Sequence, residues 1–418
     1  MEIKFDSKHE GTILKLLNEA HKILNSTRGN PIRYEDIIYA LAHLIQIEDD
    51  KKKIEHNRRK REFIRIAVEN SKNYRKLSVK KFIKRLDIDI NQFKNKPLKE
   101  FWIVFPSNIE NNKAFINRRS FTLDGTKIYM RNYMQIQKNY DIKGMESALV
   151  TLQLIRDYLP PSTIYFVIKQ RGRDIDETLR KANKKIQLFF SLLNYYKLQR
   201  KINIIIFQRE FLPFKIAHPL KYAFILNEKK KYVTYAFTFE GKNLQNSFRL
   251  TNRDLTNITK LVKEYNAKKE SDIKKLLINS LELYMTALQQ TNPSMMFLNF
   301  WQILETIALK SEERNIRMDE VKKRFLSVIK TDEVMKIVTE EILQKRNKLV
   351  HLGDIDIDYQ DINYIKIFSE AFIKFLWNIT DQLYTESMLN HYFKLKNIND
   401  KDLMELGKVI KKLFSLRK

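Results

Sequence analysis

The sequence predicts an α+β protein, mainly helical, in which a C-terminal antiparallel helical bundle follows a mixed α/β domain and a basic helical N-terminal region. Three observations lead there. Apolar residues recur at helical spacing before residue 100 and again after residue 256. Between these stretches, short runs of Val, Ile, Phe and Tyr have the composition and length of strands. Residues 51–99 hold 18 Lys and Arg against 5 Asp and Glu, which marks a basic block at the end of the first region. The expected domains are 1–100, 101–255 and 256–418.

In the first region, Ile13, Leu16, Leu17, Ala20 and Leu24 make an amphipathic stripe that stops at Arg28-Gly29-Asn30-Pro31. Ile37, Ile38, Leu41, Leu44 and Ile45 continue as a second helix. The basic block follows, with Arg58, Arg59, Lys60 and Arg61 at its densest point and Phe63, Ile64, Tyr74 and Phe82 breaking it up. Such a block can grip a phosphate backbone without reading sequence. It can equally be a solvated helical face whose aromatics point inward.

Around Phe101 the texture changes. Phe101–Phe105, Thr163–Ile168, Ile202–Phe207 and Lys231–Phe237 are expected strands. Lys221–Leu226 is expected to pair with the last of them through the turn Asn227-Glu228-Lys229-Lys230. Asp174–Gln199 is a helix by the spacing of Leu179, Ala182, Ile186, Phe189 and Phe190. Tyr232, Tyr235, Phe237 and Phe239 are taken as core or cross-strand residues rather than base-stacking platforms. Neither a Walker loop, a dinucleotide fingerprint nor a zinc pattern is present, so this domain is assigned sensing or substrate selection.

The last region divides into Ser271–Gln289, Met295–Ser311, Met318–Lys330, Asp332–Leu352 and Tyr359–Tyr384, each with an apolar stripe. Four long helices and one shorter one make a bundle. A basic amphipathic tail, Asp400–Lys418, carries Leu403, Leu406, Ile410 and Leu413 on one side and is expected to dock on it. Asp354, Asp356 and Asp358 alternate with isoleucine, a spacing taken as a solvated turn rather than a metal site. No metal and no cofactor are expected.

Charge and composition limit the function. A formal net charge of +28 points to a polyanionic partner, with nucleic acid ahead of a ribosomal or membrane-surface role. Cysteine is absent, which excludes disulfides and thiolate zinc sites. No secretion signal or membrane span is legible, so no membrane partner is expected and the cytoplasm is the expected compartment.

The chemistry concentrates in Gln344-Lys345-Arg346-Asn347-Lys348-Leu349-Val350-His351-Leu352-Gly353. Asn347 and His351 share a helical face, and Arg346 lies about 100° round from Asn347. A histidine, titrating near about pH 6.5 when unperturbed, can give or take a proton at neutral pH. A guanidinium grips phosphate oxygens and stays charged. With a ribose 2′-OH as nucleophile, this set can cleave RNA without a metal. Arg and His near a helix C-terminus are also what the macrodipole favours, so the pattern has a purely structural explanation too.

Residues 271–384 resemble the HEPN family, in the Apea-like branch of prokaryotic defence proteins. The likeness is strongest in Phe300-Trp301-Gln302-Ile303-Leu304-Glu305 and Arg346-Asn347-Lys348-Leu349-Val350-His351. It implies an endoribonuclease with Arg346, Asn347 and His351 catalytic, working as a homodimer or higher even-numbered oligomer in antiphage defence or a toxin system. Glu305 is expected to orient Arg346 or to lie on the exposed edge. Lys345 and Lys348 join Arg58, Arg59, Lys60 and Arg61 as candidate RNA contacts. An antitoxin, including a separate nucleotidyltransferase, or a phage-derived trigger is a further expected partner. The alternative is a non-catalytic nucleic-acid-binding or regulatory protein with an inactive HEPN bundle.

Overall fold

The computed structural model describes residues 2–26, 30–49, 52–53, 57–72, 74, 77–110, 119–151, 162–199, 201, 214–220, 222–237, 247–308, 318–329, 332–353, 356–396, 402 and 404–409. The chain divides into two compact units, Met1–Lys99 and Glu100–Lys418. It is mainly helical α+β.

Among the described residues, the first unit has four α-helices: α1 (Glu10–Leu24), α2 (Pro31–Leu44), α3 (Asn57–Ser71) and α4 (Val79–Lys94). Asn30 caps α2 by accepting from the Arg33 amide at 3.1 Å, and Pro31 opens its first turn. Each helix turns its apolar stripe into one core, built on Ile13, Leu17, Ile38, Leu41, Phe82 and Leu86. The unit is not purely helical. β1 (Glu2–Phe5) pairs antiparallel with β2 (Ile45–Asp49), which pairs with β3 (Lys52–Lys53). Helix α2 therefore ends at Leu44, and Ile45 and Ile47 alternate inward opposite Phe5 and Ile3. The expected helical continuation through Ile45 is corrected by this two-residue periodicity.

The second unit is built on a six-stranded sheet: β4 (Lys99–Glu110), β5 (Ser120–Leu123), β6 (Thr126–Asn132), β7 (Thr163–Gly172), β8 (Tyr222–Leu226) and β9 (Tyr232–Phe237), in the order β5-β6-β7-β4-β8-β9. Glu100 of β4 meets Lys169 and Arg171 of β7, while Ser107 meets Ile164, so these central strands run antiparallel like their neighbours. The expected hairpin of β8 and β9 is present, with Phe224 opposite Tyr235. The expected strand Ile202–Phe207 lies outside the described residues.

One sheet face, with Val104, Tyr165, Val167 and Phe224, is covered by α5 (Tyr133–Asn139) and α6 (Ile142–Thr151). The other, with Ile103, Phe105, Phe166 and Ile168, packs on α7 (Ile175–Leu198). From Ile186 to Tyr195, α7 buries almost every side chain, as a helix with neighbours on all sides must. Its other side packs on α9 (Asp272–Leu288), which follows α8 (Asn252–Ala267). Sheet and helices thus share one continuous core, and the boundary expected near residue 255 falls inside it.

Beyond α9 come α10 (Pro293–Ala308), α11 (Met318–Val328), α12 (Glu333–Leu352), α13 (Tyr359–Ile379) and α14 (Glu386–Lys396). Helix α10 packs against α9, α13 and α12. A buried polar network ties α7 to α13. Lys366 donates to the Leu198 and Lys201 carbonyls at 2.7 and 3.0 Å and to Glu370 Oε1 at 2.5 Å, and Tyr284 donates to that oxygen at 2.6 Å. In the tail, residues 404–409 are helical; of the stripe expected to dock, Leu406 is 36% exposed, and Leu403, Ile410 and Leu413 lie outside the described residues. Among the described residues, no helix is long and apolar enough to cross a membrane.

Candidate active site

Helix α12 starts at Asp332, whose side chain accepts from the Met335 amide at 2.8 Å. It stops at Gly353, whose φ of +73° closes the helix with a left-handed residue as its amide bonds the Leu349 carbonyl at 3.1 Å. Thr339, Ile342, Leu343 and Leu349 form its buried stripe. Arg346 falls on that stripe, three residues from Leu343 and three from Leu349. The side that faces the core therefore carries a guanidinium.

That guanidinium is met by α10. Glu305 Oε1 accepts from Arg346 Nη2 at 2.7 Å and from Trp301 Nε1 at 2.7 Å. Trp301 and Glu305 are one turn apart on the same face, so the indole fixes the carboxylate that fixes the arginine. The Arg346 guanidinium also lies 6.0 Å from the centroid of the Trp301 ring. The Arg346 and Glu305 side chains are only 15% and 25% exposed, enough enclosure to hold the pair in one geometry. Arg346 Nη1 reaches Asn347 Oδ1 at 3.4 Å, a long contact, and Nε is buried without a partner. Of the two positions expected for Glu305, the structure has the one in contact with Arg346.

His351 is exposed in the last turn. Five residues on from Arg346, it projects about 140° round the helix. Among the described residues no hydrogen bond joins it to Arg346, Asn347 or Glu305. The structure therefore gathers Arg346, Asn347, Glu305 and Trp301, and presents His351 on a neighbouring face. That face also carries exposed Val334, Ile337, Lys348 and Leu352.

The expected RNA contacts separate by environment. Lys348 is exposed. Lys345 is bound to both oxygens of Asp361 at 2.7 and 2.8 Å. Burial alone would lower its pKa, but the Asp361 carboxylate, together with Asp358 and Glu341 nearby, outweighs burial and raises it. That carboxylate occupies the ammonium expected to contact phosphate. In the first unit, Arg59 is 6% exposed, bonded to Glu62 at 2.6 Å and stacked over Phe93 at 4.2 Å. It lies one turn before Phe63 on the inward face of α3, which corrects its assignment as a phosphate contact. Lys60 is half-buried, its pKa lowered by burial. Arg61 is half-buried, with its guanidinium 5.7 Å from the Tyr39 ring. The Arg58 side chain lies outside the described residues. Asp358 is occupied in capping α13, accepting from the Asp361 amide at 2.9 Å, and Asp354 lies outside the described residues.

No protein-family model matches the chain, and none of the curated proteins or solved structures matches it either.

Proposed function

We propose that the protein is a metal-independent endoribonuclease of HEPN type, acting in the cytoplasm as a homodimer in antiphage defence or a toxin system. The observation that carries this reading is the braced guanidinium of Arg346, five residues before an exposed His351 on the same helix. A carboxylate and an indole hold Arg346 where it can meet an anion. Nη1, whose contact with Asn347 is long, is the donor most easily turned to a phosphate oxygen.

In the proposed reaction the ribose 2′-oxygen attacks phosphorus and loses its proton to a histidine. The bond from phosphorus to the 5′-oxygen breaks, and that oxygen takes a proton from a histidine. The products are a 2′,3′-cyclic phosphate and a 5′-hydroxyl. Arg346 stabilises the charge on the crowded phosphorus, and Asn347 orients substrate. One histidine pointing about 140° away from the arginine is a poor set within a single chain. A second copy meeting the outer face of α12 would supply the complementary His351 and cover Val334, Ile337 and Leu352, which are 68%, 64% and 71% exposed.

The test is incubation with bulk RNA in excess EDTA. Wild type should yield cyclic-phosphate ends, and His351→Ala should lose about 10²–10⁴ of the rate. Arg346→Lys should also be poor, since a point charge does not reproduce the fork. Activity that needs added magnesium, or cleavage of RNA carrying a 2′-O-methyl group at the cut, would refute the mechanism. No turnover by any form would favour the regulatory alternative.

A further inference from the structure

On the sheet face covered by α5 and α6, one corner is built differently from the rest. Trp102 of β4 packs against Tyr129 of β6 at a centroid distance of 6.1 Å and an interplanar angle of 42°. It meets Tyr140 at 5.9 Å and 68°. Two-residue spacing along β6 puts Lys127 and Arg131 on the same face as Tyr129, and the register of β6 with β7 sets Lys169 beside Lys127. Lys230 arrives from the β8–β9 turn, held there with a φ of +59°.

The cations lie against the rings. Lys127 and Arg131 are 5.2 and 4.9 Å from the Tyr129 centroid. Lys169 and Lys230 are 5.7 and 5.1 Å from Trp102, and Lys230 is also 5.1 Å from Tyr140. The carboxylates at this corner are Glu100, which pairs with Lys169 and Arg171, and Asp141, which accepts from the Tyr232 amide at 3.2 Å while its own amide donates to the Lys230 carbonyl at 3.2 Å. Among the described residues no carboxylate is paired with Lys127, Arg131 or Lys230. A second feature is independent of the charge: Trp102 Nε1 is buried and has no hydrogen-bond partner. An indole N–H left unpaired away from water carries a desolvation cost that a bound acceptor would remove.

We infer that this aromatic and cationic corner binds a single-stranded polynucleotide. Phosphates would draw the lysine ammoniums outward while their stems remain over the sheet, uncovering ring faces on which unpaired bases stack. An acidic peptide would use the cations but leave the rings and the indole N–H unemployed. A duplex offers no free base faces. The surface is separate from Arg346 and His351, and the inference stands whether or not those residues cleave RNA.

The experiment uses the full chain carrying His351→Ala, so that no cleavage intervenes, and a fluorescein-labelled decauridylate. Tryptophan emission should be quenched on binding, and Trp102→Phe should remove most of that quenching, which separates this corner from binding elsewhere on a basic chain. Lys127→Ala/Lys169→Ala/Lys230→Ala should weaken binding at least tenfold. It should also flatten the slope of log affinity against log salt by about 2, at about 0.7 for each single-strand phosphate that the variant no longer neutralises. Circular dichroism and the thermal midpoint check that each variant folds. If the triple variant misfolds, Tyr129→Leu, expected to weaken binding severalfold, replaces it. Quenching unchanged in Trp102→Phe, wild-type affinity and slope in the folded lysine variant, or equal competition by polyglutamate or a duplex of the same length would each overturn the inference.

Discussion

Replacing Lys366 should expose how the second unit is held together. Its side chain is 0% exposed and its ammonium has three acceptors, of which Glu370 is charged and also receives the Tyr284 hydroxyl. Lys366→Met fills the stem's volume but supplies no donor. The Glu370 carboxylate is then left enclosed without its counter-charge, at about 3–5 kcal/mol for breaking a buried pair from one side. The carbonyls of Leu198 and Lys201 lose a partner at about 1 kcal/mol each, part of it already counted. The expected loss is about 4–6 kcal/mol, a large share of the roughly 5–15 kcal/mol typical of a folded domain. Glu370→Leu leaves the ammonium with two carbonyls and should cost about 3–5 kcal/mol. The double variant Lys366→Met/Glu370→Leu contains no stranded charge and should cost only about 2–3 kcal/mol, for the orphaned carbonyls and hydroxyl. Urea unfolding followed by tryptophan emission measures this cleanly, because Trp102, Trp301 and Trp377 all lie in the second unit and the first is silent. The double variant should be more stable than either single one. A loss below about 1 kcal/mol for Lys366→Met, or single costs that simply add, would refute the reasoning.

Two further outcomes concern the first unit. Arg59→Ala should destabilise it by about 1–3 kcal/mol through weaker packing and the missing cation–π interaction. It should leave the salt dependence of RNA binding unchanged; hydrogen exchange in α3 and α4 checks the first, and a salt titration that flattened would sink the second. His21 lies 3.1 Å from the Val68 carbonyl and 3.2 Å from Ser71 Oγ, and burial, opposed by the carbonyl, lowers its pKa. The unfolded chain takes up this proton near about pH 6.5 while the folded unit resists it, so stability is full above that pH and falls as pH drops toward the folded value. Exchange protection in α1 and α3, corrected for intrinsic rates, should fall between pH 7.5 and 5.5. His21→Gln should flatten that fall, and an unchanged profile would count against the histidine.

The helices were legible because their stripes are long and capped: Asp332, Asp358 and Ser271 each stand where a helix begins. The contact of Arg346 with Glu305 was legible as one option because Glu305 sits in an otherwise apolar face with Trp301. What escaped is of three kinds. β1 and β2 are four and five residues long, too short for an alternation of two apolar residues each to stand out beside the adjoining helical stripes. Arg59 lies at i−4 from Phe63, a spacing that marks it as inward, but the surrounding charge outweighed the spacing. Lys345 finds Asp361 sixteen residues away across a turn, and the aromatic corner joins strands up to sixty-seven residues apart; neither relation has any local signature.

The burial of α7 on both sides has a consequence for how this chain can be divided. A fragment beginning at residue 256 would keep every helix from α9 onward yet lose the wall against which α9 rests, and Lys366 would be left with no carbonyls to hold. The reverse fragment would strip Tyr195 of the Tyr284 ring and Asn194 of the Met285 sulfur. Sheet and helices in the second unit should therefore fold and unfold as one piece, and insertions that respect the fold belong in its loops rather than at the apparent joint.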